Sequence, residues 1–262
     1  MSDSRVMKHV YLLAVLVLLT SAVQANQQEQ KPKTEQTGLF VGAGLMIQDK
    51  PLKGVDAKVY PLPFYTYRGK AFSMRGLSAS YEVFGDENWA IRGLARFRTD
   101  GYDADDSSDL DGMSDRRNSL DLGAELWLEN PWGNVGLDCV IDALGNHEGH
   151  EARLSYVIPF RGAFGIKKLG LRPMLGLNWR SENLNNYYYG VRAKEATASR
   201  TAYKSGSSVN PYAGVVLDYQ LAERWSIFSM FRNEWLGNEI TDSPIVDQDS
   251  KISVILGLLY RF

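Results

Sequence analysis

Two histidines stand close together in the segment Gly145-Asn146-His147-Glu148-Gly149-His150-Glu151. Two imidazoles and two carboxylates at such spacing are a divalent-metal ligand set in type. Gly145, Asn146 and Gly149 are turn formers, however, and favour a polar connection between strands. A Ser-His-Asp arrangement would have to use the same turn histidines, and no G-x-S-x-G elbow accompanies them. Seven aspartates, Asp100, Asp103, Asp105, Asp106, Asp109, Asp111 and Asp115, crowd a second segment. Aligning Asp109, Asp111 and Gly112 to a calcium loop puts Ser107 at its first position and Asn118 at its twelfth, where Asp and Glu are required. The segment reads as a solvated acidic loop. No catalytic residue, metal site or cofactor is expected.

The elements that carry these loops show a period of two. Ile252, Val254, Leu256, Leu258, Tyr260 and Phe262 alternate with Lys251, Ser253, Gly257 and Arg261, and Leu120, Leu122, Ala124, Leu126 and Leu128 alternate with Asp121, Gly123 and Glu125. The same pattern runs through 89–97, 135–143 and 169–179, with further segments at 38–47, 59–68, 71–81, 151–160, 209–220 and 224–236. Each is about 9–11 residues long, the length a tilted strand needs to cross a bilayer. Trp89, Trp179, Trp225, Trp235, Tyr260 and Phe262 lie near segment ends, where aromatic girdles meet the lipid–water boundary. The expected fold is an all-β transmembrane antiparallel barrel of about 12 strands, with 10 as the alternative.

Eleven segments cannot close a barrel with both termini on one side. The candidate twelfth is 186–192, which is β-rich but barely alternates. If it is a strand, the acidic loop 99–117 falls in the periplasm. If it is a loop folded into the lumen, 99–117 faces outward and the even count must be restored near the N-terminus. One face of the strands is charged with both signs: Arg92, Arg96, Arg98, Arg153, Arg172, Arg180 and Arg232 alternate into register with Asp121, Glu125, Asp138, Asp142, Glu151 and Glu234. Such a lining suits a small pore, or a lumen closed by ion pairs, and the latter is favoured.

Residues 1–25 read as a cleaved signal peptide, with Arg5, Lys8 and His9 before the apolar run Val10–Leu19 and Val23-Gln24-Ala25 as the cleavage site. Residues 26–37 read as a flexible periplasmic tail and 38–262 as the barrel. Cys139 is the single cysteine, which excludes an intramolecular disulfide, and the net charge of −2 gives no basic excess for nucleic acid. The terminal Tyr260-Arg261-Phe262 is an aromatic ending of the kind that signals outer-membrane assembly.

The segment 181–192, Ser-Glu-Asn-Leu-Asn-Asn-Tyr-Tyr-Tyr-Gly-Val-Arg, and 241–247, Thr-Asp-Ser-Pro-Ile-Val-Asp, resemble hallmarks of the MltA-interacting protein (MipA/OmpV) family of outer-membrane proteins. Asp115-Arg116-Arg117, Val59-Tyr60-Pro61-Leu62-Pro63, Pro211-Tyr212 and Trp225-Ser226 extend the resemblance over roughly residues 38 to 262. It implies a non-enzymatic barrel of the Gram-negative outer membrane and offers no catalytic residues. Its implied partners are membrane lipid, the barrel-assembly machinery, a lytic murein transglycosylase and a penicillin-binding protein bridged by the barrel. Some members are linked instead to adhesion or to solute and antibiotic passage, so a narrow channel for small polar solutes or a surface adhesin is the alternative. The residues marked by the motif are Ser181, Glu182, Asn183, Tyr187, Tyr188, Tyr189, Gly190, Thr241, Asp242, Ser243, Pro244 and Asp247, all of architectural type. The three tyrosines suit either a seal on the lumen or a ligand platform.

Overall fold

The computed structural model describes residues 38–68 and 71–262. The expected signal peptide and tail, residues 1–37, lie outside the described residues. The alternating segments form antiparallel strands in one sheet: β1 (Gly38–Gln48), β2 (Lys58–Arg68), β3 (Phe72–Arg75), β4 (Ser78–Gly85), β5 (Trp89–Arg98), β6 (Ser119–Asn130), β7 (Gly133–Asp142), β8 (His150–Val157), β9 (Phe160–Arg161), β10 (Leu169–Arg180), β11 (Ser208–Gln220), β12 (Trp225–Trp235) and β13 (Ser250–Arg261). Two short helices, α1 (Glu182–Tyr189) and α2 (Asn238–Thr241), lie in the long connections. β9 resumes the line of β8 after Pro159, since both pair with the same edge of β10. Neighbours in sequence pair with one another, and β1 pairs with β13 through Phe40↔Arg261 to Gln48↔Ser253, so the ladder returns to its start.

The burial pattern is inverted relative to a water-soluble sandwich. Leu45, Leu122, Leu137, Leu154, Leu175 and Leu256 are exposed on the outer wall, while Arg98, Asp121, Glu151, Asn178 and Arg180 are buried. An exposed apolar band of this extent is stable against lipid and not against water. No helix among the described residues is long and apolar enough to cross a membrane.

The alternative left open for 186–192 resolves against a strand, one expectation needs correction, and together they settle the strand count. Residues 186–192 form no strand. Ser181 accepts the Leu184 N–H at the start of α1, and Leu184 and Tyr188, four apart, are buried on one helical face. The segment 71–81 is not one strand but the hairpin β3–β4, turning at Gly76 with φ +55°, a conformation suited to glycine. The hairpin supplies the missing twelfth strand. It also places 99–118, 143–149, 181–207 and 236–249 together at the end of the ring away from the termini.

The ring is thinnest beside β2. β3 pairs with β2 only through Thr66, Tyr67 and Arg68, so among the described residues no strand pairs with Lys58–Tyr65 on the side away from β1. The β1–β2 ladder is unbroken across Pro61 and Pro63. Ladder bonds alternate and proline has no N–H, so Tyr60, Leu62 and Phe64 must donate to β1, and the two prolines face the open edge. They remove donors that hydrocarbon could not satisfy. Replacing both by valine, a better strand former, is therefore expected to lower the urea midpoint of the barrel in lipid vesicles. A midpoint equal to or above that of the parent chain would contradict this account of the edge.

Candidate functional site: a capped lumen with a charged belt

At the loop end of the ring, inward residues from seven strands form a belt of ion pairs. Arg98 on β5 reaches Asp121 (Nε to Oδ2, 2.9 Å), Asp100 (3.0 Å) and Glu151 (3.1 Å). Arg96 reaches Asp138 at 3.0 Å and Glu151 at 2.8 Å, and Arg153 adds a 3.0 Å bond to Glu151. Across the lumen, Arg180 and Asn178 meet Glu234 at 3.1 and 3.0 Å, and Lys251 pairs with Asp100. These partners are cross-strand neighbours or lie across the ring, so the sheet's register places them. Arg180, for example, is opposite Glu151, with Nε 3.5 Å from the carboxylate.

Above the belt the long connections pack into a lid. Leu52, Leu110, Leu184, Tyr188, Ile240 and Ile245 form its apolar core. Arg116, buried, donates to Glu195 (2.9 Å) and to the Tyr187 carbonyl (2.6 Å), tying loop 99–118 to the segment after α1. The Tyr188 hydroxyl donates to the Arg117 carbonyl at 3.1 Å, and the Arg117 N–H donates to the Tyr187 hydroxyl at 2.9 Å. Ser243 donates to the Tyr189 carbonyl at 2.5 Å, joining the lid's two helical segments. A Cβ at Gly190 would stand 2.4 Å from the Asn186 carbonyl oxygen, which explains the glycine. Asn183 bonds the Glu148 carbonyl, Glu182 pairs with Lys204, and the Asp247 N–H donates to the Pro51 carbonyl. Thr241 ends α2, and Asp242 caps it by donating its N–H to the Asn238 carbonyl. The motif residues thus meet in the lid, and Tyr188 and Tyr189 are buried in it.

Three carboxylates of the acidic loop serve this lid and belt, while Asp103, Asp105, Asp109 and Asp111 stay exposed, as in a solvated loop. Asp100 joins the belt, Asp106 pairs with Lys58, and Asp115 accepts the Ala104 N–H at 2.9 Å. Glu195 carries the lid's one fully buried ion pair. Burial opposes its charge, but the Arg116 hydrogen bond, the Arg192 N–H and the Arg116 charge outweigh that and hold its carboxyl at about 2, below the ordinary 4.5. A depressed carboxyl contributes stability above its unfolded value and loses it as pH falls towards the folded one. Lid protection against an acid-active protease should therefore be full above pH 4.5 and fall away between 4.5 and about 2, and Glu195→Gln should weaken it already at neutral pH.

The two histidines do not converge. His150 lies against Trp179 on the outside, with ring centroids 5.3 Å apart, whereas His147 is buried, with Nε2 3.2 Å from Asp121 Oδ1. Asp121, Asp142 and His147 bring one ligand atom each within 4.8 Å. Their lone pairs are already engaged. His147 Nδ1 accepts the Gly149 N–H, Asp142 accepts the N–H groups of Leu144, His147 and Glu148 and the Ser119 hydroxyl, and Asp121 takes Arg98. The trio locks the 143–149 turn to the belt.

Exposure along the lumen changes in one direction. On β5 it rises from 5% at Arg98 to 14% at Arg96 and 25% at Arg92, and on β10 from 4% at Arg180 to 23% at Arg172. The inward side chains are therefore most accessible to solvent towards the terminal end and least at the belt. The lumen is a blind well.

The sequence profile described as "MltA-interacting protein MipA" matches residues 41–262. The chain belongs to the MltA-interacting protein family. It is 29% identical to the MltA-interacting protein of Escherichia coli K12 over 259 residues, covering 98% of this chain and all of that one. It is 31% identical over 217 residues to the outer membrane protein OmpV of Vibrio cholerae, covering 80% of this chain and 81% of the relative. Solved structures similar to it include the translocator domain of the autotransporter NalP from Neisseria meningitidis (10% identity, TM-score 0.46, 96% and 98% coverage) and the NanC porin (12%, 0.42, 86% and 100%). Family, antiparallel strands and lipid-facing wall agree, and this member of the MltA-interacting protein family is an outer-membrane barrel protein.

Proposed function

We propose that this chain is a non-enzymatic scaffold of the outer membrane, engaging peptidoglycan-remodelling enzymes, a lytic murein transglycosylase and a penicillin-binding protein, through its periplasmic end. The end-to-end alignment with a relative named for binding MltA carries the reading. The blind lumen supports it, because a barrel sealed by a lid and an ion-pair belt has more to offer as a docking body than as a pathway. Membrane lipid and the barrel-assembly machinery complete the expected partners. Immobilised, folded barrel should retain a purified lytic transglycosylase at low salt, while an unrelated outer-membrane barrel should not. Absence of retention would overturn the scaffold reading.

A narrow channel for small polar solutes is the second reading, favoured by the wet, charged lower lumen. It requires the lid to move. A barrel silent in planar bilayers, and still silent after deletion of 186–208, would exclude it. A surface adhesin would use the loop end, and binding of intact cells to a host surface would have to depend on those loops.

A further inference from the structure

The belt is not neutral. Six cations, Arg96, Arg98, Arg153, Arg180, Arg232 and Lys251, meet five carboxylates, Asp100, Asp121, Asp138, Glu151 and Glu234, in and around one cavity of about 130 Å³. Lys50, buried beside Lys251 and bonded only to the carbonyls of Thr99 and Gly101, adds a second positive charge to the excess. Buried charge without a partner is costly, so an excess of this kind invites a counter-ion.

Spare donors locate it. Arg153 gives one bond to Glu151, which already serves Arg96 and Arg98, and Arg232 gives one to Glu234, which already serves Arg180. The Nε groups of Arg153 and Arg232 are buried without a hydrogen-bond partner. Both guanidinium groups line the cavity, and Arg232 stacks on the Tyr212 ring with its carbon 3.9 Å from the ring centre, which fixes its plane. Two planar forks with unused donors suit an oxyanion, which guanidinium binds through paired hydrogen bonds. A cavity of about 150 Å³ holds a six-carbon ring, so the space here admits sulfate, phosphate or a small dicarboxylate.

We propose that the lumen holds a binding site for a small dianionic oxyanion between Arg153 and Arg232, entered from the periplasmic end of the well. The scaffold reading is independent of this site. Below the site, water-exposed Arg92 and Arg172 continue the path, and above it the belt and lid stop further passage. The ligand is therefore retained or sensed, not transported.

Calorimetric titration of the detergent-folded barrel with sodium sulfate, phosphate and malonate, against a sodium chloride control at equal ionic strength, tests the proposal. Saturable binding of one anion per chain is expected for at least one of the three, and the preferred one distinguishes tetrahedral oxyanions from dicarboxylates. Arg153→Gln and Arg232→Gln should each weaken it by about tenfold or more, the size expected for loss of a charged hydrogen bond. Arg172→Gln, nearer the mouth, should leave it unchanged. Where a glutamine variant fails to fold, Arg232→Lys decides, since it keeps the charge but loses Nε and the planar fork, and the same weakening is expected. No saturable binding in the parent barrel, or binding that persists in the Arg153 and Arg232 variants as an adventitious ion only, overturns the site.

Discussion

Deleting Tyr260, Arg261 and Phe262 is expected to remove most of the protein from the outer membrane. Phe262 donates its N–H to the Leu39 carbonyl at 3.1 Å, and Tyr260 and Arg261 pair with Val41 and Phe40 in the ladder that joins the last strand to the first. Tyr260 also packs edge-on against Trp225 and Phe262, each with ring centroids 5.0 Å away, at the level of the terminal-side aromatic girdle. Without these residues β1 exposes backbone groups to hydrocarbon, where each costs several kcal/mol. Cys139→Ser, on an exposed face, and His150→Ala, on the outer surface, should leave levels near normal, and even His147→Ala should cost far less than the deletion. Cell fractionation with heat-modifiable gel mobility reads the outcome. Normal amounts of normally migrating truncated chain would show that closure does not depend on this end.

The second large effect is expected at Glu151. Its carboxylate is 1% exposed and is shared by Arg96, Arg98 and Arg153, with Arg180 at 3.5 Å. Glu151→Ala leaves those guanidinium groups facing one another in a nearly dry belt, and breaking a buried pair from one side costs about 3–5 kcal/mol. Glu125→Ala, which removes a more exposed partner of Arg92, should cost about 1 kcal/mol or less. Urea unfolding of the two variants in lipid vesicles, followed by tryptophan fluorescence, compares them. Equal midpoints would mean that the belt does not brace the barrel.

Most of the wall was legible from the sequence, because lipid outside and ion pairs inside force strict alternation, and nine of the eleven segments became single strands, with 151–160 interrupted at Pro159. The error at 71–81 was also legible in principle. Outward residues fall on the even number Phe72 but on odd numbers at Tyr81 and Val83, and such a change of phase across Gly76 marks a turn. Tyr187, Tyr188 and Tyr189 suggested a strand by β propensity, while the local signal for a helix lay upstream, in the Ser181 cap and the Leu184–Tyr188 spacing. The lid was not legible. Arg116 with Glu195, Lys58 with Asp106 and Lys251 with Asp100 join residues 79, 48 and 151 positions apart, and no local pattern announces such pairs. The asymmetry of the well was hidden for the same reason. Alternation tells which side chains point inward, but the belt and the lid above it decide how far solvent follows them.

In an even ring the long loops and the lid share one end, opposite the termini. In a Cys139→Ser background, single cysteines at Ser108, Ser199 and Ala222 would be treated on intact cells with a membrane-impermeant maleimide. The three positions are exposed, the first two in the lid connections and the third in the β11–β12 turn. Labelling of Ser108→Cys and Ser199→Cys on intact cells, with Ala222→Cys labelled only after the outer membrane is permeabilised, is the predicted result. Labelling of Ala222→Cys from outside, or of Ser108→Cys and Ser199→Cys from opposite sides, would contradict the strand count and the capped well built on it.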